Sequence, residues 1–192
     1  MLEKLKPKSD FARHILTLMT GTTIAQAIPI AISPILTRIY TPEDFGILAL
    51  FVALSSIIGI IVTCRYEIAI ILPKKDEDAA CLAILSFTIA LSISLLCLII
   101  ISIFENNIID LIGNQGLRGW LYLIPLSIFF SGIYQSLTFW NNRFKQFSAI
   151  ASSQVAQGGG IAGGQLGFGL WANLSGGSLI LGNIIGQFLG TF

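Results

Sequence analysis

Ala79–Phe104 reads AACLAILSFTIALSISLLCLIIISIF, 26 residues without a charge between Asp78 and Glu105. A hydrocarbon core about 30 Å thick needs about 20 apolar residues of helix at 1.5 Å rise each. The run is long enough to cross, and it has companions. Between His14 and Arg38 lie 23 uncharged residues, between Asp44 and Arg65 lie 20, and between Arg118 and Arg143 lie 24. After Lys145 the remaining 47 residues carry no charge at all. A soluble domain spreads charge over every surface helix, so this pattern predicts a membrane protein.

Composition agrees. Of 192 residues 54% are hydrophobic and only 11% charged, with a mean hydropathy of +0.83; soluble domains carry about 25% charged residues. The net charge of +1 argues against a nucleic-acid partner, because no basic stripe is available to neutralise phosphates. Cys64, Cys81 and Cys97 have neither disulfide nor zinc spacing, and the single His14 cannot complete a metal site. They read as small buried hydrophobes. Lys4, Lys6 and Lys8 ahead of Ala25-Gln26-Ala27 resemble a secretory leader. The apolar run continues to Thr37, however, and every later segment is also a span, so it reads as a retained helix.

Backbone groups in lipid must satisfy one another, and the alternation of a β-barrel is absent, so the spans are helices. The expected fold is all-α: a polytopic bundle of about six helices near 14–38, 45–66, 79–103, 118–140, 148–170 and 178–192, forming a single lobe over 1–192. Asn173–Ser178 supplies the last turn. The sixth helix then has some 15 residues and no polar flank, so it is expected to be truncated inside a span. The N-terminal tail, the loop after helix two and the loop after helix four hold nine cations, whereas the alternate loops hold only Arg38 and Arg118. Positive charge stays inside, which predicts a cytoplasmic N-terminus.

Local chemistry refines this picture. Thr41-Pro42-Glu43-Asp44 is a helix start, with Thr41 at the N-cap, Pro42 at the first helical position and two acids facing the dipole. Pro29 and Pro34 in helix one read as tolerated kinks or as a hinge. Twelve of the 19 glycines fall between Gly158 and Gly190, and Gly182, Gly186 and Gly190 form a ridge that lets membrane helices approach closely. Trp140–Phe147 is aromatic and basic, as in an interfacial elbow.

No Ser/His/Asp grouping, phosphate loop or paired intramembrane acid is present, so neither an enzyme nor a cofactor is expected. Thr22, Gln26, Ser33 and Thr37 share a face of helix one, and Gln154, Gln157 and Gln165 share a face of helix five. Interhelical hydrogen bonding, about 0.6 kcal/mol each, is the default reading; the sharper one is a polar cavity touching Gln26, Gln154 and Gln157. Arg13, Arg65 with Glu67, and Arg143 with Lys145 are placed at cytoplasmic ends, where snorkelling explains them by default. The functional reading is a cationic mouth of Arg13, Arg65, Arg143 and Lys145 for an anionic head group.

Four segments carry a resemblance. Ser33–Gly46 (SPILTRIYTPEDFG), Arg65–Ala79 (RYEIAIILPKKDEDA), Trp140–Ala151 (WNNRFKQFSAIA) and Gly182–Gly190 (GNIIGQFLG) resemble connections and helices of the bacterial oligosaccharide flippase, or Wzx-type, family of the multidrug/oligosaccharidyl-lipid/polysaccharide superfamily. The resemblance implies one lobe of a two-lobe transporter in the bacterial inner membrane. It implies undecaprenyl-pyrophosphate-linked oligosaccharide, such as an O-antigen repeat unit of lipopolysaccharide, as cargo, without ATP hydrolysis. Membrane lipid and polysaccharide assembly proteins are the other implied partners. Arg38, Glu43, Arg65, Glu67 and Arg143 are its motif positions, with no role attached. A non-transporting partner of the assembly machinery and a small-molecule exporter of the same superfamily are the alternatives; the exporter predicts acids deep in a span.

Overall fold

The computed structural model describes the backbone of residues 6–171 and 176–191 and the side chains of 15–170 and 176–191. Arg13's side chain and residues 173–175 of the expected Asn173–Ser178 turn lie outside those residues. The described chain is all-helical, with no strand: α1 Lys6–Ile39, α2 Pro42–Gly59, α3 Tyr66–Ala69, α4 Asp76–Ile112, a 3-10 helix Gln115–Leu123, α5 Ile124–Arg143, α6 Phe147–Trp171 and α7 Gly176–Thr191. Among the described residues four segments are long and apolar enough to cross a membrane: Ile15–Ile39, Pro42–Gly59, Asp76–Ile112 and Gln115–Arg143. The chain is a membrane protein by that measure, and its exterior agrees. Leu16, Met19, Ile30, Ile57, Leu72, Ile84, Ile103 and Leu170 are all exposed, a density of outward apolar side chains that water would not tolerate.

The helix ends follow from local sequence. Thr41 caps α2 in a full capping box: the Asp44 N–H donates to Thr41 Oγ1 at 3.4 Å, and the Thr41 N–H donates to Asp44 Oδ2 at 2.9 Å. Asp76, Glu77 and Asp78 occupy the first turn of α4, against the positive end of its dipole. Gly113, with φ 73°, ends that helix in the left-handed conformation. Thirty-seven residues make α4 about 55 Å long, well beyond the hydrocarbon thickness. It bends at Phe104, where φ and ψ leave the helical region.

Three boundaries differ from the sequence reading. The second helix, expected over about 45–66, stops at Gly59, and a turn leads to Cys64 and Arg65 with φ of 48° and 63°. Neither is glycine, so the conformation is strained and the surrounding packing must hold it. The fourth helix begins as a 3-10 segment, because Asn114 Oδ1 accepts from the Gly116 N–H at 2.9 Å and starts a tighter turn. The expected elbow over Trp140–Phe147 takes the form of a tight turn: α5 continues to Arg143, Lys145 has φ 54°, and α6 begins at Phe147. Gly176–Ser178 already belong to α7. Of the cysteines only Cys97 is buried; Cys64 and Cys81 face outward. Pro29 and Pro34 lie within α1 without ending it.

Two packing modes build the bundle. Helices α1, α6 and α7 meet backbone to backbone. A Cβ on Gly164 would lie 2.7 Å from Gly182 Cα, and one on Gly158 would lie 2.6 Å from the Ala25 carbonyl oxygen. Helices α2, α4 and α5 instead interlock through side chains around Phe51, Ile101, Leu121, Ile124 and Ile128, which join Ile180 and Ile184 of α7. On α4 the buried positions Ala79, Ala83, Ser86, Ala90, Ser94 and Cys97 form one narrow stripe of small residues.

Gly164→Leu is expected to separate α6 from α7 and to destabilise the protein by about 1–3 kcal/mol. Gly163→Leu should be neutral, since a Cβ there meets nothing within 4 Å. Thermal melts and monodispersity in detergent distinguish the two.

Candidate functional site: a polar cavity between α2, α5 and α7

A cavity of 340 Å³ opens where α2, α5 and α7 converge. α2 contributes Ser55 and Ser56, α5 contributes Ser127, Ser131 and Gln135, and α7 contributes Asn183 and Gln187; Phe51 and Ile128 form apolar wall. Arg65 completes the lining from the turn after α2. The spacing on each helix explains the convergence. Ser127, Ser131 and Gln135 follow one another at four-residue intervals, as do Asn183 and Gln187, so each set occupies one face.

The lining is partly self-satisfied. Ser127 Oγ donates to Gln187 Oε1 at 2.9 Å, Gln187 Nε2 donates to Asn183 Oδ1 at 2.9 Å, and Gln135 Nε2 donates to Ser131 Oγ at 3.2 Å. Ser55 Oγ is buried without a partner. The guanidinium of Arg65 has no acidic partner among the described residues, whose ion pairs are Arg118–Glu105 and Arg143–Asp76. A planar cation with five donors and a wall of hydroxyls and amides suits an anionic group attached to polyols. At 340 Å³ the space sits near the lower end of ligand pockets, about 300–1,000 Å³, so it would take one ring or one head group at a time.

The surroundings of Arg65 are apolar in sequence and on the surface. Ile57, Ile60 and Ile61 before it and Ile68, Ile71 and Leu72 after it are all exposed. An apolar exterior therefore continues on both sides of the break, and the next charges, Lys74 and Lys75, come only after Pro73. Arg65 is exposed and lies beyond the apolar segment Pro42–Gly59. Glu67 is wholly buried.

The other candidates disperse. Arg143 is a structural clasp, with a side chain only 11% exposed. Its Nη1 donates to the carbonyls of Ile70 at 3.1 Å and Pro73 at 2.6 Å, and its Nε and Nη2 donate to Asp76 Oδ1 at 3.2 and 2.8 Å. Lys145 is exposed beside it. Gln154 Oε1 accepts from Thr22 Oγ1 at 2.7 Å, joining α6 to α1. Gln157 packs against α7, where a Cβ on Gly190 would lie 2.8 Å from its own Cβ. Gln26 is exposed on α1, and so are Arg38 and Glu43 at the opposite end. Of the expected binding residues with described side chains, only Arg65 reaches the cavity; its hydroxyl and amide partners were missed because serines spaced along apolar helices look like ordinary packing residues.

Arg143→Lys is expected to destabilise the protein by about 2–3 kcal/mol, because an ammonium cannot hold two carbonyls and a carboxylate together. Asp76→Asn removes only the outer, 69% exposed partner and should cost less than about 1 kcal/mol. Chemical or thermal denaturation in detergent checks the ranking.

With this geometry in place, comparison with known proteins places the chain. No curated protein and no solved structure matches it. A family model described as "Polysaccharide biosynthesis protein" matches residues 35–192. That match covers α2 through α7 and every residue of the cavity, so the chain belongs to the polysaccharide biosynthesis protein family.

Proposed function

We propose that the protein translocates lipid-linked oligosaccharide, such as O-antigen repeat units, across the bacterial cytoplasmic membrane, as a flippase and not as an enzyme. Family membership points to a membrane role in polysaccharide biosynthesis and to lipid-linked saccharide intermediates. The observation that carries the finer reading is Arg65: a guanidinium without an acidic partner among the described residues, at the wall of a cavity whose polar lining is Ser, Gln and Asn. The diphosphate that joins a polyprenyl lipid to its sugars is an anion that an arginine fork can grip, and the sugar hydroxyls match the amides and serines beyond it.

Arg65→Ala should cut surface polysaccharide at least tenfold at unchanged protein level, and Arg65→Lys should recover only part, since lysine keeps the charge but not the fork. Undiminished polysaccharide in the alanine variant would remove Arg65 from the transport path. The measurement is polysaccharide on intact cells of a strain carrying the variant as its sole copy.

The same reading sets an orientation with the N-terminus in the cytoplasm. The starts of α2 and α7 approach one another at one end of the bundle, through Asp44 and Gly176, and the end of α5 meets the start of α4 at another, through Arg143 and Asp76. In a cysteine-free background, Arg118→Cys should react with an impermeant thiol reagent on intact cells and Lys75→Cys should not. The reverse pattern would invert the topology.

A further inference from the structure

Lys145 holds a conformation that glycine would take more easily. Its φ of 54° puts it in the left-handed region, which costs free energy for any residue bearing a Cβ. The turn between α5 and α6 does not call for a lysine. Its backbone closes it: the Phe144 N–H donates to the Trp140 carbonyl at 3.3 Å, the Lys145 N–H to the Asn142 carbonyl at 3.0 Å and the Gln146 N–H to the Asn141 carbonyl at 2.9 Å. The Lys145 side chain is exposed and makes no ion pair among the described residues.

This lysine lines a cleft of 510 Å³ together with Ile71, Asp76, Asn142, Arg143 and Phe144. Arg143 and Asp76 neutralise one another at 2.8 Å, so the cleft keeps a single positive charge, that of Lys145. Its base is rigid. Arg143 ties the Ile70 and Pro73 carbonyls to the end of α5. The Phe144 ring lies 5.1 Å from the ring of Trp140, which packs on Ile70, Ala79 and Ala83. Asn142 is exposed and adds an amide donor beside the lysine.

The cleft sits where apolar surface gives way to charge. Ile71 and Leu72 are exposed, and directly after Pro73 the chain reads Lys-Lys-Asp-Glu-Asp over 74–78. Across the cleft the same change occurs between neighbours, from exposed Phe144 to exposed Lys145. In a membrane protein such a boundary marks the head-group level of the bilayer. A soluble phosphate ester would engage only the charged half of the cleft. The apolar half, with Ile71, Leu72 and Phe144 turned outward, suits acyl chains.

We propose that this cleft binds one anionic phospholipid, its phosphate against the Lys145 ammonium and the Asn142 amide and its acyl chains along Ile71, Leu72 and Phe144. A zwitterionic head group brings no net charge to match Lys145, whereas phosphatidylglycerol brings one negative charge. The lipid bridges the α3–α4 loop and the α5–α6 turn, the two segments that Arg143 already holds together. The site is separate from the polar cavity between α2, α5 and α7, and it stands apart from any choice of cargo.

The test is native mass spectrometry of the purified full chain in detergent, titrated with phosphatidylglycerol, phosphatidylethanolamine or phosphatidylcholine, with a thermal melt of each variant. Expected is one phosphatidylglycerol retained per chain, saturably and about fivefold more tightly than either zwitterionic lipid. Lys145→Gly should abolish the preference while melting no lower than the wild type without added lipid, since glycine relieves the left-handed turn. Lys74→Ala removes a charge outside the cleft and should leave the preference intact. Equal retention of the three lipids would overturn the proposal. So would equal loss in the Lys145 and Lys74 variants, which would reduce the attraction to diffuse surface charge. Displacement of the lipid by millimolar glycerol phosphate would overturn it as well, by assigning the cleft to a soluble phosphate ester. The comparison of lipids on the wild-type chain decides the matter even if a variant fails to fold.

Discussion

Hydrocarbon offers no hydrogen bonds, so each polar group carried into it must find its partner within the protein. That constraint forces the long helices, and it also restricts where a helix may stop. The break after Gly59 is tolerable only because it is not presented to lipid as bare backbone. The Cys64 N–H donates to the Ile61 carbonyl at 2.9 Å and the Tyr66 N–H to the Thr63 carbonyl at 3.0 Å, while Val62, Thr63 and Glu67 are buried against α4 and α5. The interruption turns two neighbouring charges in different directions, Arg65 to the cavity and Glu67 into the helix interface.

The rest of the bundle supplies the rigidity that such a break requires. In the α1–α6–α7 group, glycine removes side chains so that backbones touch; Tyr40 adds a hydrogen bond from its hydroxyl to the Gln165 carbonyl at 2.6 Å. In the α2–α4–α5 group, small residues on α4 admit close approach, and Ser94 Oγ donates to the Pro125 carbonyl at 2.6 Å. The cavity lies where the second group meets α7 of the first. Polar side chains there face one another across a gap instead of packing, which leaves room for a ligand without opening the core.

Arg65 and Arg143 show how differently the same side chain serves. Both follow an apolar run and both precede a basic neighbourhood in sequence. Arg143 meets two freed carbonyls at the end of the α3 segment and an acid at the start of α4, and its donors are consumed in holding that end of the bundle together. Arg65 follows its helix in a left-handed turn and makes no ion pair among the described residues. Context within two neighbouring turns, not residue type, separates a clasp from a binding group.

The amino-acid sequence by itself determined the membrane class, the helical fold, the Thr41–Asp44 cap and the glycine-driven approach of α6 and α7, because each depends on local composition or on spacing along one helix. Interhelical hydrogen bonding, the plainer reading of Gln154, was legible for the same reason. The break at Cys64–Arg65, the depth of Glu67 and the assembly of serines, amides and one arginine into a cavity were decided only by tertiary structure. Those features join α2, α3, α4, α5 and α7 across large separations in the chain, and periodicity along any one helix shows which face is polar but not what that face will meet.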